Sequence, residues 1–360
     1  MKITDIKAMV IKMPFVKRDL PLSTHTSRTL VIVKVLTDEG ISGLGEAFAS
    51  KNSETTVVKC IESMLKPACL GKNPLAIAGL WEELFRTFYH AGHGGVTISA
   101  LSGIETALWD IAGKAANLPV YRLLGGLAHD KLRAYASLMH YGKSAEVAEA
   151  CEAVLKRGFG ALKLHEAEVE PVALARKVSG DEADIMLDVN CRWNVPQAIK
   201  MGRSFVPYNL YWYEEPVWPG NDYDGLAEVK ASVAIPLAAG ENEYTARGFL
   251  GLIEKRAVDY LQPSIFKIGG ILQEKKVFTL GGALSRRVVP HAWTFGPALA
   301  ATLHVSFSEP GAEFVETVVE TPAVSLFRKP LAPDKGYWGV PEGPGLGIEL
   351  DEEALAKYIV

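Results

Sequence analysis

Six polar residues close short apolar runs at nearly even intervals through the second half of the chain. They are Lys163, Asp188, Glu214, Glu241, His291 and Glu316. The first three gaps are 25, 26 and 27 residues, the next is 50, and the last is 25. A strand, a helix and two loops take up about this length, and a run ending at Ser264 supplies a strand within the long gap. The spacing predicts a parallel (β/α) barrel, in which catalytic groups converge at the C-terminal strand ends.

The rest of the chain divides around this barrel. Three antiparallel strands and three helices are predicted before it, at 2–12, 28–37, 41–48, 54–66, 74–90 and 97–117. The eight barrel strands are predicted at 133–137, 161–165, 185–189, 211–214, 235–239, 260–264, 287–291 and 313–316. We therefore predict an α/β protein with an α+β capping domain at 1–125, a barrel at 126–320, and a C-terminal segment at 321–360 that returns to the cap.

Composition restricts the possible partners. A chain of 360 residues with 48% apolar and 22% charged residues can bury a large core. Its net charge of −4 gives no reason to expect nucleic acid or an anionic membrane as a partner. The four cysteines form no CxxC motif, the N-terminus lacks a signal-peptide core, and no apolar stretch reaches membrane-spanning length. We expect a cytoplasmic protein with reduced cysteines.

Three consecutive predicted strand ends are the carboxylates Asp188, Glu214 and Glu241. Carboxylate oxygens suit a hard cation such as Mg²⁺. A single acid at a strand end is usually an ordinary surface residue, but three in succession favour a metal site. Asn190 lies two residues beyond Asp188, on the same side of an extended chain, and is a candidate supporting group.

Lys163 and His165 alternate on one strand, so both are predicted to point into the barrel. A protonated lysine nearby should lower the pKa of His165, which suits a general base near neutral pH. A purely structural lysine in a polar layer is the alternative.

His291 and Glu316 end the last two predicted strands. In a closed barrel His291 lies opposite the second or third strand, where it can act on the other face of a substrate. A structural histidine is the alternative. A protonated Glu316 could hydrogen-bond a substrate carboxylate, and an ionised one could orient another group.

The segment 14–28 is a long polar connection between two predicted strands, and long loops of this kind often form lids. Its basic residues favour an anionic substrate. They are Lys17, Arg18, His25 and Arg28.

Nearly the whole chain resembles the enolase superfamily, specifically its mandelate racemase subgroup. The matching stretches are SALSGIETALWDIAGK, YRLLGG, KLH, LDVN, YEEP, AAGEN, QPSIFKIGG, VPHAW and GPGLGIE. The resemblance implies a capping domain completed by the C-terminal segment, and Mg²⁺ held by Asp188, Glu214 and Glu241. It also implies a substrate carboxylate on that metal, removal of the α-proton by a base to give an enediolate, a symmetric homo-oligomer, and specificity loops near 14–28 and 50–53.

The sequence departs from the subgroup at two positions. His165 stands where the usual KxK motif has its second lysine, and Ser264 stands where the base on the opposite face has an aspartate partner. Without that carboxylate, His291 is a weaker base, a neutral donor or an acid. Lys267 is a candidate for the electrostatics of the site.

This asymmetry favours elimination, because racemisation needs proton donors and acceptors on both faces. We therefore expect a dehydratase of a hydroxylated carboxylic acid such as a sugar acid. A racemase, epimerase or cycloisomerase on the same scaffold is the alternative. A non-catalytic binder of the same fold is disfavoured by the complete set of metal carboxylates.

Overall fold

A curved antiparallel sheet begins the chain. The computed structural model describes residues 1–17, 20, 21 and 23–360, so Arg18 lies outside the described residues. Strands β1 (Ile3–Val16), β2 (Ser27–Thr37) and β3 (Ser42–Ala47) form a meander in which β2 is central. The connection between β1 and β2 is shorter than predicted, because both strands extend into the 14–28 segment.

The helices of the cap pack on one face of this sheet. Helix α1 (Glu54–Cys60) continues through a π turn (Ile61–Leu65) into α2 (Lys66–Cys69), and α3 (Ile77–Phe88), α4 (Val96–Ala116) and α5 (Val120–Leu123) follow. Helix α4 approaches β3 very closely. A Cβ placed on Gly43 would lie 2.0 Å from the carbonyl oxygen of Ala107, so only glycine permits this contact.

Eight parallel strands then form a ring. They are β4 (Leu132–Ser137), β5 (Ala161–Leu164), β6 (Asp184–Asp188), β7 (Trp212–Glu214), β8 (Leu237–Ala239), β9 (Tyr260–Leu261), β10 (Arg287–Val288) and β11 (Phe314–Val318). Neighbours along this series pair in parallel from β4 to β10, and β11 pairs with β4. A parallel bridge between Val288 and Ala312 brings β10 beside the start of β11. The predicted α/β barrel is confirmed, with most strands shorter than predicted.

Helices connect the barrel strands, and the C-terminal residues return to the cap. The helices are α6 (Ser144–Lys156), α7 (Val169–Ser179), α8 (Val195–Phe205), α9 (Tyr223–Ser232), α10 (Thr245–Glu254), α11 (Ile265–Ile268), α12 (Ile271–Ala283) and α13 (Pro297–Ser308). After the barrel come β12 (Thr321–Pro322), β13 (Tyr337–Trp338) and α14 (Glu352–Leu355). Strand β12 pairs antiparallel with β1, and the Val360 amide donates to the Val10 carbonyl at 3.0 Å.

Two buried acids in α4 join the cap to the rest of the molecule. Glu105 accepts the backbone amides of Ile271 and Leu272, at 2.7 and 2.9 Å, and so caps the start of α12. Asp110 accepts the amides of Leu44 and Leu346, each at 2.8 Å, and so joins β3 to the C-terminal segment. These contacts give a structural reason for acids within the SGIETALWD stretch.

None of the helices in the described part of the chain could span a bilayer.

Candidate active site

The barrel interior is layered along the strand direction. The lower layer takes one residue from each strand or its immediate extension and is almost wholly apolar: Tyr135, Ala161, Met186, Trp212, Ala238, Tyr260, Val289 and Phe314. Side chains two residues further on point into the same interior, because alternate residues of a strand share a face. That next layer is polar and includes Lys163, Asp188, Glu214, His291 and Glu316. The apolar layer thus supports a polar floor at the mouth.

Two carboxylates of this floor converge with Glu241, which follows β8. Asp188, Glu214 and Glu241 each place one oxygen so that the three atoms lie within 4.8 Å of one another. Asp188 Oδ2 is buried, with Lys163 Nζ 3.6 Å away. Burial and the charge of Asp188 raise the pKa of Glu214 to about 8, whereas His291 and Lys267 outweigh burial and lower the pKa of Glu241 to about 2. Such an arrangement of oxygen ligands fits a hard divalent cation.

Lys163 balances the negative charge of the floor. Its side chain is 1% exposed, and Nζ lies 3.0 Å from both Glu214 Oε1 and Glu316 Oε1 and 3.6 Å from Asp188 Oδ2. Burial would lower its pKa, but the surrounding carboxylates raise it well above the usual range. Lys163 is therefore a fixed cation that holds the acids together, and it is poorly suited to accept a proton.

His165 approaches the carboxylates from the β5 side. Its Nδ1 lies 2.6 Å from the Leu138 carbonyl oxygen, which fixes Nδ1 as the donor, and its Nε2 lies 3.2 Å from Asp188 Oδ2. Lys163 lowers the pKa of His165, as predicted, but it does not set the direction of the net shift. Burial does lower the pKa, and Lys163 adds to that, but the hydrogen bond and charge of Asp188 outweigh both and raise it.

His291 approaches from the opposite end of the carboxylate row. Its Nε2 lies 3.2 Å from Glu241 Oε2, and its ring is parallel to Phe266 with centroids 6.1 Å apart. Ser264 Oγ lies 3.0 Å from Nδ1, so the serine contacts the ring from the position where the subgroup has an aspartate. Burial lowers the pKa of His291.

The remaining predicted residues lie at different distances from this centre. Lys267 donates to Glu241 Oε1 at 2.9 Å. Lys163 outweighs burial and lowers the pKa of Glu316, so Glu316 is an ionised orienting group, and its Oε2 accepts the Ala292 amide. The Asn190 side chain is exposed, and only its backbone amide contacts Asp188, at 2.8 Å. The amide nitrogen, and not the predicted side chain, supports the carboxylate.

A cleft of about 610 Å³ opens beside the start of β2 and the residues that follow β3. It is lined by residues of β2 and its preceding loop, by 48–54 and by Trp293. His25 is exposed on its rim, where burial of part of the ring and the charge of His165 lower its pKa. The loop is fixed to the barrel because Thr24 donates from its amide and its hydroxyl to the His140 carbonyl.

Two family descriptions match the chain. The description "Mandelate racemase / muconate lactonizing enzyme, N-terminal domain" covers residues 5–125, and "Enolase C-terminal domain-like" covers 146–354. The chain belongs to the mandelate racemase/muconate lactonizing enzyme family of the enolase superfamily. The relatives described next are named as dehydratases and cycloisomerases, so the chain is a lyase or isomerase of this superfamily.

Family members with known activities resemble the chain along nine-tenths or more of its length. It is 31% identical to D-galactarolactone cycloisomerase of Agrobacterium fabrum, over 99% of both chains. It is 33% identical to D-galactonate dehydratase of Klebsiella pneumoniae, over 91% of this chain and 90% of that one. The solved 3,6-anhydro-D-galactonate cycloisomerase of Zobellia galactanivorans superposes with a TM-score of 0.90 at 31% identity, with both chains fully covered.

Sequence reasoning overlooked two acids at the site. Glu320 lies two residues beyond β11, is 9% exposed, and has a pKa raised to about 7 by burial. Glu320 is four residues after Glu316, so on an extended chain both side chains point to the same face. This spacing could have indicated Glu320 from the sequence. Glu46 of the cap accepts the Thr294 hydroxyl at 2.7 Å and the Ala298 amide at 3.1 Å, and so holds the loop that carries Trp293. Nothing local in the sequence indicated that contact.

Proposed function

We propose that this family member is a Mg²⁺-dependent dehydratase of a hydroxylated carboxylic acid, most simply a sugar acid. The observation that carries the proposal is the row of Asp188, Glu214 and Glu241 with an imidazole at each end, His165 and His291. The named relatives that are sugar acid dehydratases support the substrate class.

The three carboxylates would hold Mg²⁺ and leave positions for the substrate carboxylate. When bound, Mg²⁺ would stabilise the negative charge that develops on that carboxylate as the α-proton leaves. Lys267 donates to Glu241 and Lys163 donates to Glu214, and these contacts orient both ligands. Lys267 also helps to keep Glu241 ionised.

His165 is the proposed base. Because Nδ1 donates to Leu138, the proton-accepting atom is Nε2, which faces the carboxylate row. Nε2 takes the α-proton, and the C–H electron pair moves into the bond between the α-carbon and the carboxylate carbon to give the enediolate.

His291 is the proposed acid. We assign Ser264 Oγ as the donor to Nδ1, which leaves the proton of the neutral ring on Nε2. As the enediolate collapses, the β-carbon–oxygen bond breaks and His291 gives its Nε2 proton to the departing hydroxide, forming water. The resulting enol gains a proton at the β-carbon and becomes a 2-oxo acid.

The alternative is an isomerase on the same scaffold. A cycloisomerase would expel a ring oxygen in place of hydroxide after the same first step, and two relatives carry that name. A racemase or epimerase needs matched bases on both faces, and Ser264 in place of an acid argues against it.

Turnover of a library of sugar acids in D₂O with Mg²⁺ separates these reactions. A dehydratase loses water and forms a deuterated 2-oxo acid, whereas a cycloisomerase forms a product that retains all the atoms of the substrate. Deuterium in recovered substrate without loss of water would contradict dehydration. A protein that binds Mg²⁺ and acids but exchanges no proton would be a binder.

We further infer a cytoplasmic homo-oligomer that acts on a dissolved substrate. Four free cysteines, three of them buried, suit a reducing compartment. Light scattering coupled to gel filtration would test the assembly, and a monomeric mass would contradict it.

A further inference from the structure

Arg28 places a positive charge among three aromatic rings. Its Cζ lies 4.5 Å from the ring centroid of Trp293, 5.9 Å from Phe48 and 6.0 Å from Phe266. Its Nε is buried and has no hydrogen-bond acceptor. No ion pair joins Arg28 to any carboxylate within residues 1–17, 20, 21 and 23–360. A guanidinium enclosed by aromatic rings therefore lacks the acceptors that such a group normally meets.

The neighbouring acid does not fill this role. Among the carboxylates, Glu46 raises the pKa of Arg28 the most. Its two oxygens, however, accept hydrogen bonds from Thr294 Oγ1 and the Ala298 amide. Burial lowers the pKa of Arg28, and the charges of Glu46, Glu241 and Glu316 compensate only in part. Because a buried cation without a partner is costly, an anion from outside the chain would be bound favourably here.

Arg28 also lies in the right place to meet a substrate. It lines the 610 Å³ cleft together with His25, Phe48 and Trp293. Phe266, one of its aromatic neighbours, stacks on His291.

Phe48, another neighbour, has Lys267 Nζ 4.3 Å from its ring centroid, and Lys267 in turn contacts Glu241. The Phe266 ring thus lies between Arg28 and His291, and the Phe48 ring lies between Arg28 and Lys267. Arg28 is on the His291 side of the site.

We propose that Arg28 binds a second, distal carboxylate of the substrate, so that the preferred substrate is a hydroxylated dicarboxylic acid. The inference rests on the proposed function, which places the reacting carboxylate at Asp188, Glu214 and Glu241. A guanidinium presents two parallel N–H groups that match the two oxygens of one carboxylate, and the aromatic rings hold its plane. A monocarboxylic sugar acid would leave Arg28 unpaired.

Matched substrates test this directly. Each hexaric acid is compared with the hexonic acid of the same configuration, which differs only in carrying a hydroxymethyl group at the far end. For wild type we expect kcat/KM to favour the diacid by about 10-fold or more. In Arg28→Gln we expect the diacid value to fall about 100-fold and the monoacid value to change less than about 3-fold, as for loss of one charge-assisted contact.

Two further variants separate recognition from charge. Arg28→Lys keeps the positive charge but lacks the paired N–H donors of the guanidinium. It should therefore recover only part of the preference for the diacid over the monoacid. Lys12→Gln removes an exposed charge from the same cleft and should leave the ratio of diacid to monoacid unchanged. Equal losses in Lys12→Gln and Arg28→Gln would show a general electrostatic attraction and overturn the inference.

Inhibition of the wild type keeps the inference testable if Arg28→Gln fails to fold. Adipate should inhibit at least about 10-fold more strongly than 6-hydroxyhexanoate, which lacks the second carboxylate. Equal inhibition, a wild-type preference for monoacids, or equal losses on both substrates in Arg28→Gln would overturn it. The proposed function fails separately, if wild type with Mg²⁺ exchanges the α-proton of no acid of either class.

Discussion

Ser264 Oγ lies 3.0 Å from His291 Nδ1, at the position where the opposite-face base of the subgroup has an aspartate partner. At the other end of the carboxylate row, His165 Nε2 faces the carboxylate of Asp188 at 3.2 Å. The two imidazoles therefore have unlike partners, a neutral hydroxyl and an acid. This inequality is the physical basis for assigning them unlike roles.

Ser264→Asp should convert the weaker imidazole into a base. The added carboxylate would raise the pKa of His291 by stabilising its cationic form. Deuterium should then wash into recovered substrate at a rate about tenfold or more above wild type, which corresponds to about one pKa unit on the base. Proton NMR in D₂O measures this, and Ser264→Asn is the uncharged control. Unchanged wash-in in a folded Ser264→Asp protein would contradict the role given to Ser264.

His165→Gln should abolish the first step while leaving the fold intact. Loss of a general base typically lowers the rate by about 10²–10⁴-fold, so kcat should fall by that factor. Mg²⁺ affinity, measured by calorimetry, should change far less, because the three carboxylates remain. His90→Gln, an exposed histidine of the cap, is the matched control. Full activity in His165→Gln would remove the assigned base.

Lys163→Met should destabilise the metal-free protein. Removing the cation leaves Asp188, Glu214 and Glu316 buried together without the ammonium group that they share, at a cost of about 3–5 kcal/mol. Saturating Mg²⁺ should recover part of the loss, because a ligand that binds only the folded state stabilises it. Urea unfolding with and without Mg²⁺ measures both effects. Lys59→Met, in an exposed pair with Glu62, should change stability by less than about 0.5 kcal/mol.

Glu274→Gln should change how stability depends on pH. Glu274 is fully buried on α12, neither of its oxygens has a hydrogen-bond partner among the described residues, and burial raises its pKa well above 4.5. As pH rises above about 4.5, the unfolded chain releases this proton while the folded protein retains it, so wild-type stability falls with pH. The variant should equal wild type near pH 4 and exceed it by about 1–3 kcal/mol at pH 8. A pH-independent difference would contradict this assignment.

The sequence predicted the barrel and most of the polar floor because both follow from one local regularity. Alternation places Lys163 in the same interior as Asp188, Glu214 and Glu316 once each strand end is located. The intervals in sequence between these strand ends locate the strands, even though the pairing register between neighbouring strands is not known from the sequence.

Properties that depend on contacts between distant strands were harder to predict. The net direction of the His165 pKa shift depends on Asp188 Oδ2, which lies 3.2 Å away on the next strand. The sequence indicated only the opposing effect of Lys163, which lies on the same strand as His165. The isolation of Arg28 depends on Glu46 reaching Thr294, a contact between residues 248 positions apart in sequence. Arg28 was identified as a basic loop residue, but its enclosure by aromatic rings required the fold.

Exchange of the substrate α-proton in D₂O tests the central claim most directly. The wild type with Mg²⁺ should form a deuterated 2-oxo acid from at least one sugar acid. EDTA, Glu241→Gln and His165→Gln should each suppress exchange by about 100-fold or more. Exchange that survives EDTA, or that survives loss of His165, would contradict a metal-assisted proton abstraction at this site.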